Sequence, residues 1–228
     1  MNSGFLLIDK PAGITSHDVV DRVRRVTGLK KVGHGGTLDP FATGLLVVGV
    51  GREATRELGS FIGHDKEYEA VMALGASSDT QDRDGQIIET PNAELPTESE
   101  LKESMGKFVG HQQQVPPMYS AKKIKGKKMY ELARQGLEVE REPVEITVHE
   151  LELLNYESPH AKFRASVSSG TYIRTLAHDI GRDMGCGAYL EELRRTKIGS
   201  LNIDAATVLA DLKPENWVEK LQPVTPRP

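Results

Sequence analysis

The longest apolar run in the chain, Leu45 to Val50, spans six residues and is interrupted only by Gly49. That is the length of one buried strand, far below the roughly 18 residues that a membrane span needs. A chain whose strongest hydrophobic signal is a buried strand has to build a sheet. Phe5-Leu6-Leu7-Ile8 reads as a second short buried strand, closed by Asp9-Lys10-Pro11 and the turn residue Gly13. Tyr68 to Leu74, Ile146 to Leu154 and Phe163 to Val167 read as further strands, the last with clean alternation.

Three helices are written between and after them. Thr15 or Ser16 can cap the first, in which Val19, Val20, Val23 and Val26 recur at helical spacing and Gly28 sits where a C-cap belongs. Thr97-Glu98-Ser99-Glu100 is a capping box, with Leu101, Met105 and Phe108 continuing as one stripe. After Thr171, Ile173, Leu176, Ala177 and Ile180 share one helical face. Ser77 to Glu100 holds seven carboxylates against Arg83 and reads as mostly loop, and Gln112 to Pro117 is expected to be irregular. Strands scattered among helices without regular alternation indicate an α+β class rather than a doubly wound sheet.

Composition narrows the function. The 228 residues carry 29 Lys and Arg against 33 Asp and Glu, a net charge of -4, which excludes a uniformly basic nucleic-acid binder. It does not exclude a basic arm: residues 101 to 134 hold eight positive and two negative charges, with five lysines crowded between Lys122 and Lys128. The single cysteine, Cys186, forbids an intrachain disulfide and favours a reducing cytoplasm. The first residues show no basic region followed by an apolar stretch, so no secretory signal is expected.

Several motifs fail on inspection. Gly49-Val50-Gly51 with Ala54 follows a strand but lacks the ribose-binding acid and the repeated units of a dinucleotide fold. Asp82-Arg83-Asp84-Gly85 imitates a calcium loop whose twelfth position would be Pro91, where a bidentate Glu is required. The seven histidines and one cysteine have no zinc spacing, and there is no Gly-x-Ser-x-Gly elbow.

Gly33-His34-Gly35-Gly36-Thr37-Leu38-Asp39-Pro40, continuing to Ala42-Thr43-Gly44, is richer. Its glycines let the backbone approach a ligand, and Pro40 biases Asp39 away from helical geometry, so that a loop presents the carboxylate. The same residues also suit a Gly-rich turn with a capping Asp. Tyr68 begins a strand where its ring could stack on a flat ligand. Tyr172 and Arg174 lie at a strand-to-helix junction off the apolar face. A core-edge tyrosine and a surface ion pair are the plain alternatives for these three.

From Leu6 to about Ser200 the ordered set of motifs resembles the bacterial tRNA pseudouridine(55) synthase family, the TruB type. The resemblance is carried by Asp9-Lys10-Pro11 with Gly13 and Thr15-Ser16, and by His34 through Gly44. Gln114 with Pro116-Pro117, Tyr119 to Lys122, Gly126, Tyr130 and Ala133-Arg134 extend it, as do Gly170 to Arg174, Gly185 to Ala188 and Leu193-Arg194-Arg195. It implies a central mixed, largely antiparallel sheet flanked by helices, with a basic RNA-binding insertion at about 105–145. Residues 1–200 would form the catalytic domain. Residues 201–228 would be a short tail without a separate C-terminal RNA-binding domain.

The resemblance also implies roles. Asp39 would be the catalytic carboxylate that turns the T-loop uridine at position 55 of tRNA into pseudouridine. Arg174 would keep it ionised. Tyr68 would stack on the flipped uracil and help deprotonate carbon 5. Tyr172 and Leu193 would line the pocket, and His34 would hold the RNA where the uridine leaves its stack. Lys122, Lys123 and Lys125 would contact phosphates. No cofactor and no metal are implied. The partner would be the T-arm of tRNA, with no membrane, and the protein is expected to be a cytoplasmic monomer. Two other readings keep the same residues: a related synthase directed by a guide and partner proteins, and an RNA chaperone without activity.

Overall fold

A twelve-residue helix, α1 (Ser16–Thr27), begins where the sequence provides both halves of a capping box. The Thr15 hydroxyl accepts from the Asp18 amide, and the Asp18 carboxylate accepts from the Thr15 amide at 2.7 Å. Gly28, at φ 70°, ends the helix in the left-handed conformation that glycine adopts without strain. Val19, Val20, Val23 and Val26 are all buried, each stabilising the fold by about 1.5–3 kcal/mol. The computed structural model describes residues 3–118, 123–124, 127–128 and 141–224. The chain divides into two compact units: Met1–Tyr68 with Arg194–Pro228, and Glu69–Leu193.

In the first unit, β1 (Gly4–Lys10) pairs antiparallel with β3 (Thr43–Val50) from Gly4 against Val50 to Lys10 against Gly44. The short β2 (Val32–His34) pairs antiparallel with β3 as well. β12 (Ala188–Ile198) joins β3 in parallel, with Arg194 opposite Thr43 and Arg195 opposite Gly44. α2 (Arg52–Gly63) buries Ala54 and Leu58 in a cluster with Phe5, Leu7, Leu45 and Val47. Beyond Ser200 the chain is folded: β13 (Leu201–Asn202) turns back on β12, and β14 (Thr207–Val208) runs parallel to β1. Leu209, Leu212 and Trp217 enter the same core as the α1 valines.

In the second unit, β10 (Val144–Glu157) and β11 (His160–Val167) form a long antiparallel hairpin, with β4 (Lys66–Leu74) beside β11 in the strand order. β5 (Ala76–Ser78) and β6 (Ile87–Glu89) make a separate two-stranded ribbon within the stretch expected to be loop. α3 (Glu98–Gly106) starts at the Thr97 capping box and packs on β10. α4 (Ile173–Asp183) buries the predicted Ile173, Leu176, Ala177 and Ile180.

One expectation is overturned. β7 (Gly110–Gln114) is a regular strand, paired antiparallel with β10 from Gly110 against Val148 to Gln114 against Val144. Its glutamines carry no hydrophobic signal, because an edge strand needs only backbone pairing and one buried side chain, here Gln114. The expected α+β class, with a mixed and largely antiparallel sheet flanked by helices, is borne out. β1–β14 and β12–β3 pair in parallel, whereas β1–β3, β2–β3, β7–β10, β10–β11 and β12–β13 pair antiparallel. No helix among the described residues is long and apolar enough to cross a membrane.

Candidate active site

Asp39 lies in the first unit on an irregular segment between β2 and β3, partly exposed. The loop is fixed from three directions. From α1, Ser16 Oγ donates to the Leu38 carbonyl at 3.1 Å and accepts from the Leu38 amide at 2.9 Å. From the turn after β1, the Gly13 amide donates to the Pro40 carbonyl at 2.9 Å. From β1 itself, Lys10 Nζ donates to the carbonyls of Pro11 (2.9 Å), Pro40 (3.2 Å) and Ala42 (2.7 Å). Lys10, Gly13 and Ser16 belong to one short motif, and all three hold residues between Leu38 and Ala42. Leu38, Phe41 and Ala42 anchor the same loop apolarly, each nearly inaccessible to water.

Lys10 is fully buried, an unusual place for an ammonium group. Burial pushes its pKa down to about 8; Asp39 pulls it back up, and Arg195 adds to the depression. Arg195 is the second buried cation here, with its guanidinium bonded to the carbonyls of Gly36, Thr37 and Leu45. The third is Lys66, which closes the C-terminal end of α2 by donating to the carbonyls of Phe61, Ile62 and His64. Next to Arg195, Arg194 makes a forked ion pair with Asp9, at 3.1 and 2.7 Å. His34 ends β2, and burial, with His17 and Arg195 adding to it, holds its imidazole below the ordinary range. Tyr68 is buried on β4, one residue after Glu67, which accepts from Thr196 and Lys197.

The second unit carries Tyr172, Arg174 and Leu193. Tyr172 is the N-cap of α4, held by a reciprocal amide contact: its N–H donates to Gln114 Oε1 at 2.8 Å, and Gln114 Nε2 donates to its carbonyl at 3.1 Å. Arg174, in the first turn, lies 5.9 Å from the centroid of the Tyr172 ring, within cation–π range. It is not the surface residue that its sequence neighbourhood suggests. Its Nη1 donates to Asp82 Oδ2 at 3.2 Å and to the Thr80 carbonyl at 3.4 Å, and both side chains of the ion pair are 5% exposed. Asp82 Oδ1 accepts from Thr80 Oγ1 (2.6 Å) and from the Asp84 amide (3.1 Å). Leu193 is buried.

The first unit therefore holds His34, Asp39 and Tyr68, and the second holds Tyr172, Arg174 and Leu193. Lys122 and Lys125 lie outside the described residues. Lys123 belongs to β8 (Lys123–Ile124), whose backbone pairs with β9 (Lys127–Lys128). Sequence reasoning gives no role to Lys10, Ser16, Asp82 or Arg195. The first two are visible in the chain as members of the opening motif. Asp82 signals only a tight turn that imitates half of a metal loop. Among the described residues, no three His, Cys, Asp or Glu side chains gather so as to hold a metal.

Comparison with known proteins gives a consistent picture. The family described as "TruB family pseudouridylate synthase (N terminal domain)" matches residues 24–173, and "tRNA pseudouridylate synthase B C-terminal domain" matches 174–224. A protein of Chlamydia trachomatis named tRNA pseudouridine synthase B is 51% identical over 201 residues, covering 88% of this chain and 83% of that one. Its namesake in Desulfotalea psychrophila is 48% identical over 223 residues, covering 96% and 91%. Among solved structures, a Cbf5-Nop10-Gar1 complex contains a chain that superposes with a TM-score of 0.74 at 31% identity. That match covers 96% of this chain and 60% of the other.

Proposed function

The chain belongs to the TruB family of pseudouridylate synthases, and on that basis we propose that it isomerises the T-loop uridine of tRNA, position 55, to pseudouridine. The reaction breaks the bond between N1 and the ribose, turns the base, and bonds C5 to the same ribose carbon. The C5 proton leaves and N1 gains one, so that the product is an isomer and no cofactor is consumed. Asp39 is the catalytic carboxylate, and the observation that carries the reading is the way its loop is held. Lys10, Gly13, Ser16 and Arg195 together fix residues 36–45 around a carboxylate that stays partly open to the surface. A loop this constrained suits chemistry that depends on where a charge sits.

Arg174 is assigned as the cation that keeps Asp39 ionised once a base covers it. Tyr68 is assigned to stack on the flipped uracil and to help remove the C5 proton, and Tyr172 and Leu193 to line the pocket. His34 sits on the RNA where the uridine leaves its stack; held neutral, it can pack there without attracting phosphate. Extruding a base costs a few kcal/mol, and an aromatic face offsets part of that. Lys122, Lys123 and Lys125 are assigned to phosphates of the T-arm, residues 1–200 to the catalytic domain, and the monomer to the acting species.

The test is release of tritium from a T-arm hairpin labelled at uracil carbon 5, using the purified chain alone. Wild type should release tritium and Asp39→Asn should release none. Equal release from both would remove Asp39 from its role. No release by wild type, unless guide RNA and partner proteins are added, would assign the chain to the guided class instead.

A further inference from the structure

Arg195 is 1% exposed, and its guanidinium makes all of its hydrogen bonds to backbone carbonyls. Two acceptors, Gly36 (3.2 Å) and Thr37 (3.3 Å), lie just before Asp39, and the third, Leu45 (2.8 Å), lies just after it on β3. The fork thus ties together the two stems of the Asp39 loop. β12 delivers it in register, since Arg195 stands opposite Gly44 in the parallel pairing with β3. Gly44 permits that approach: at φ +105° a Cβ there would come within 2.3 Å of the Arg195 carbonyl oxygen.

A methionine at this position would fill the core without the desolvation cost that a guanidinium carries. What the arginine adds is shape. Five donors spread over a plane reach acceptors lying farther apart than those that one lysine nitrogen can serve. Lys10 binds the same loop at Pro40 and Ala42, so the carbonyls on either side of Asp39 point at two buried cations.

We propose that Arg195 is a positioning residue for the isomerisation: by bracing both stems of the loop it holds the Asp39 carboxylate in its working geometry, without touching the RNA. The inference rests on the assignment of Asp39 as catalytic.

The test compares Arg195→Met and Arg195→Lys in single-turnover conversion of a T-arm hairpin, alongside the dissociation constant for that RNA and the thermal unfolding transition. Displacing a catalytic group by about 1 Å costs on the order of 100-fold. Both variants should therefore lose about 100-fold in rate, while the dissociation constant stays within about threefold and unfolding remains cooperative. Lysine should restore little, because the fork and not the charge is what is used. A rate within about threefold of wild type in either folded variant would overturn the proposal, and so would a loss of RNA affinity matching the loss of rate. Failure of both variants to fold would make Arg195 a determinant of the fold instead, and would also overturn it. Asp39→Asn is the control. If it is inactive while the Arg195 variants are normal, only this inference falls; if it is active, the functional reading falls.

Discussion

Replacing Asp82 with asparagine isolates the buried ion pair of the second unit with almost no change of shape. The carboxylate uses both oxygens: Oδ2 faces Arg174 at 3.2 Å, and Oδ1 accepts from Thr80 Oγ1 and the Asp84 amide. An amide has only one acceptor oxygen, so either orientation of the introduced side chain sets a donor against a donor. At 5% exposure for both side chains, water cannot take over the missing acceptor's role. Removing one member of a buried pair costs about 3–5 kcal/mol. Arg174 keeps its bond to the Thr80 carbonyl, which places the expected loss near the lower end, about 3 kcal/mol. For a chain of this length each kcal/mol lowers the melting temperature by about 2–4 °C, so Asp82→Asn should melt about 6–12 °C below wild type. The comparison is Glu98→Gln, which breaks the Lys102–Glu98 pair whose side chains are each 57% exposed. That exposed pair is worth less than about 1 kcal/mol. Calorimetry of the three proteins at one pH decides the matter. A shift for Asp82→Asn no larger than that for Glu98→Gln would refute the view that burial makes this pair matter.

Three other outcomes are expected. Lys10 and Lys66 release their protons near pH 8 in the folded protein and near pH 10.5 in the unfolded chain. Between those values the unfolded chain holds more protons, so their contribution to stability rises with pH. Asp39, Arg195 and Asp18 act on Lys10, and Arg195 and Asp65 on Lys66. Neutral Lys10 has one donor fewer for the carbonyls of the Asp39 loop, so turnover should decline above about pH 8 while the lysines' share of stability improves. Single-turnover rates and urea midpoints from about pH 7 to 10 check both, and a rate that stays flat over that range contradicts the role given to Lys10. For the basic arm, changing Lys122, Lys123 and Lys125 to alanine one at a time should flatten the slope of log K against log salt by about 0.7–0.9 for each phosphate left without its lysine. An unchanged slope in filter-binding titrations would take that lysine out of the RNA interface.

Helix α1 can be read off the chain because everything that specifies it lies within fourteen residues: the Thr15–Asp18 box, four valines at helical spacing, and Gly28. β3 and α4 are legible for the same reason, a run or a stripe of apolar side chains. β7 is not, because its partner β10 lies about thirty residues further on and its own side chains are mostly glutamine. β12 is equally hidden. Its sequence, Ala188 to Ile198, puts Arg195 at a buried position, which breaks the alternation by which a strand is recognised. The candidate site divides in the same way. Asp39 stands out because glycines and a proline surround it. Asp82 does not, since its partner Arg174 is 92 positions away and a short acidic turn looks alike with or without one. Local signals of capping and periodicity are written residue against near neighbour, so the chain carries its class, three of its helices and its candidate carboxylate openly. Which charges are buried, and that Lys10 and Arg195 spend them on the carbonyls around Asp39, follows from distant strands meeting in register, since only that assembly removes water and makes those hydrogen bonds necessary.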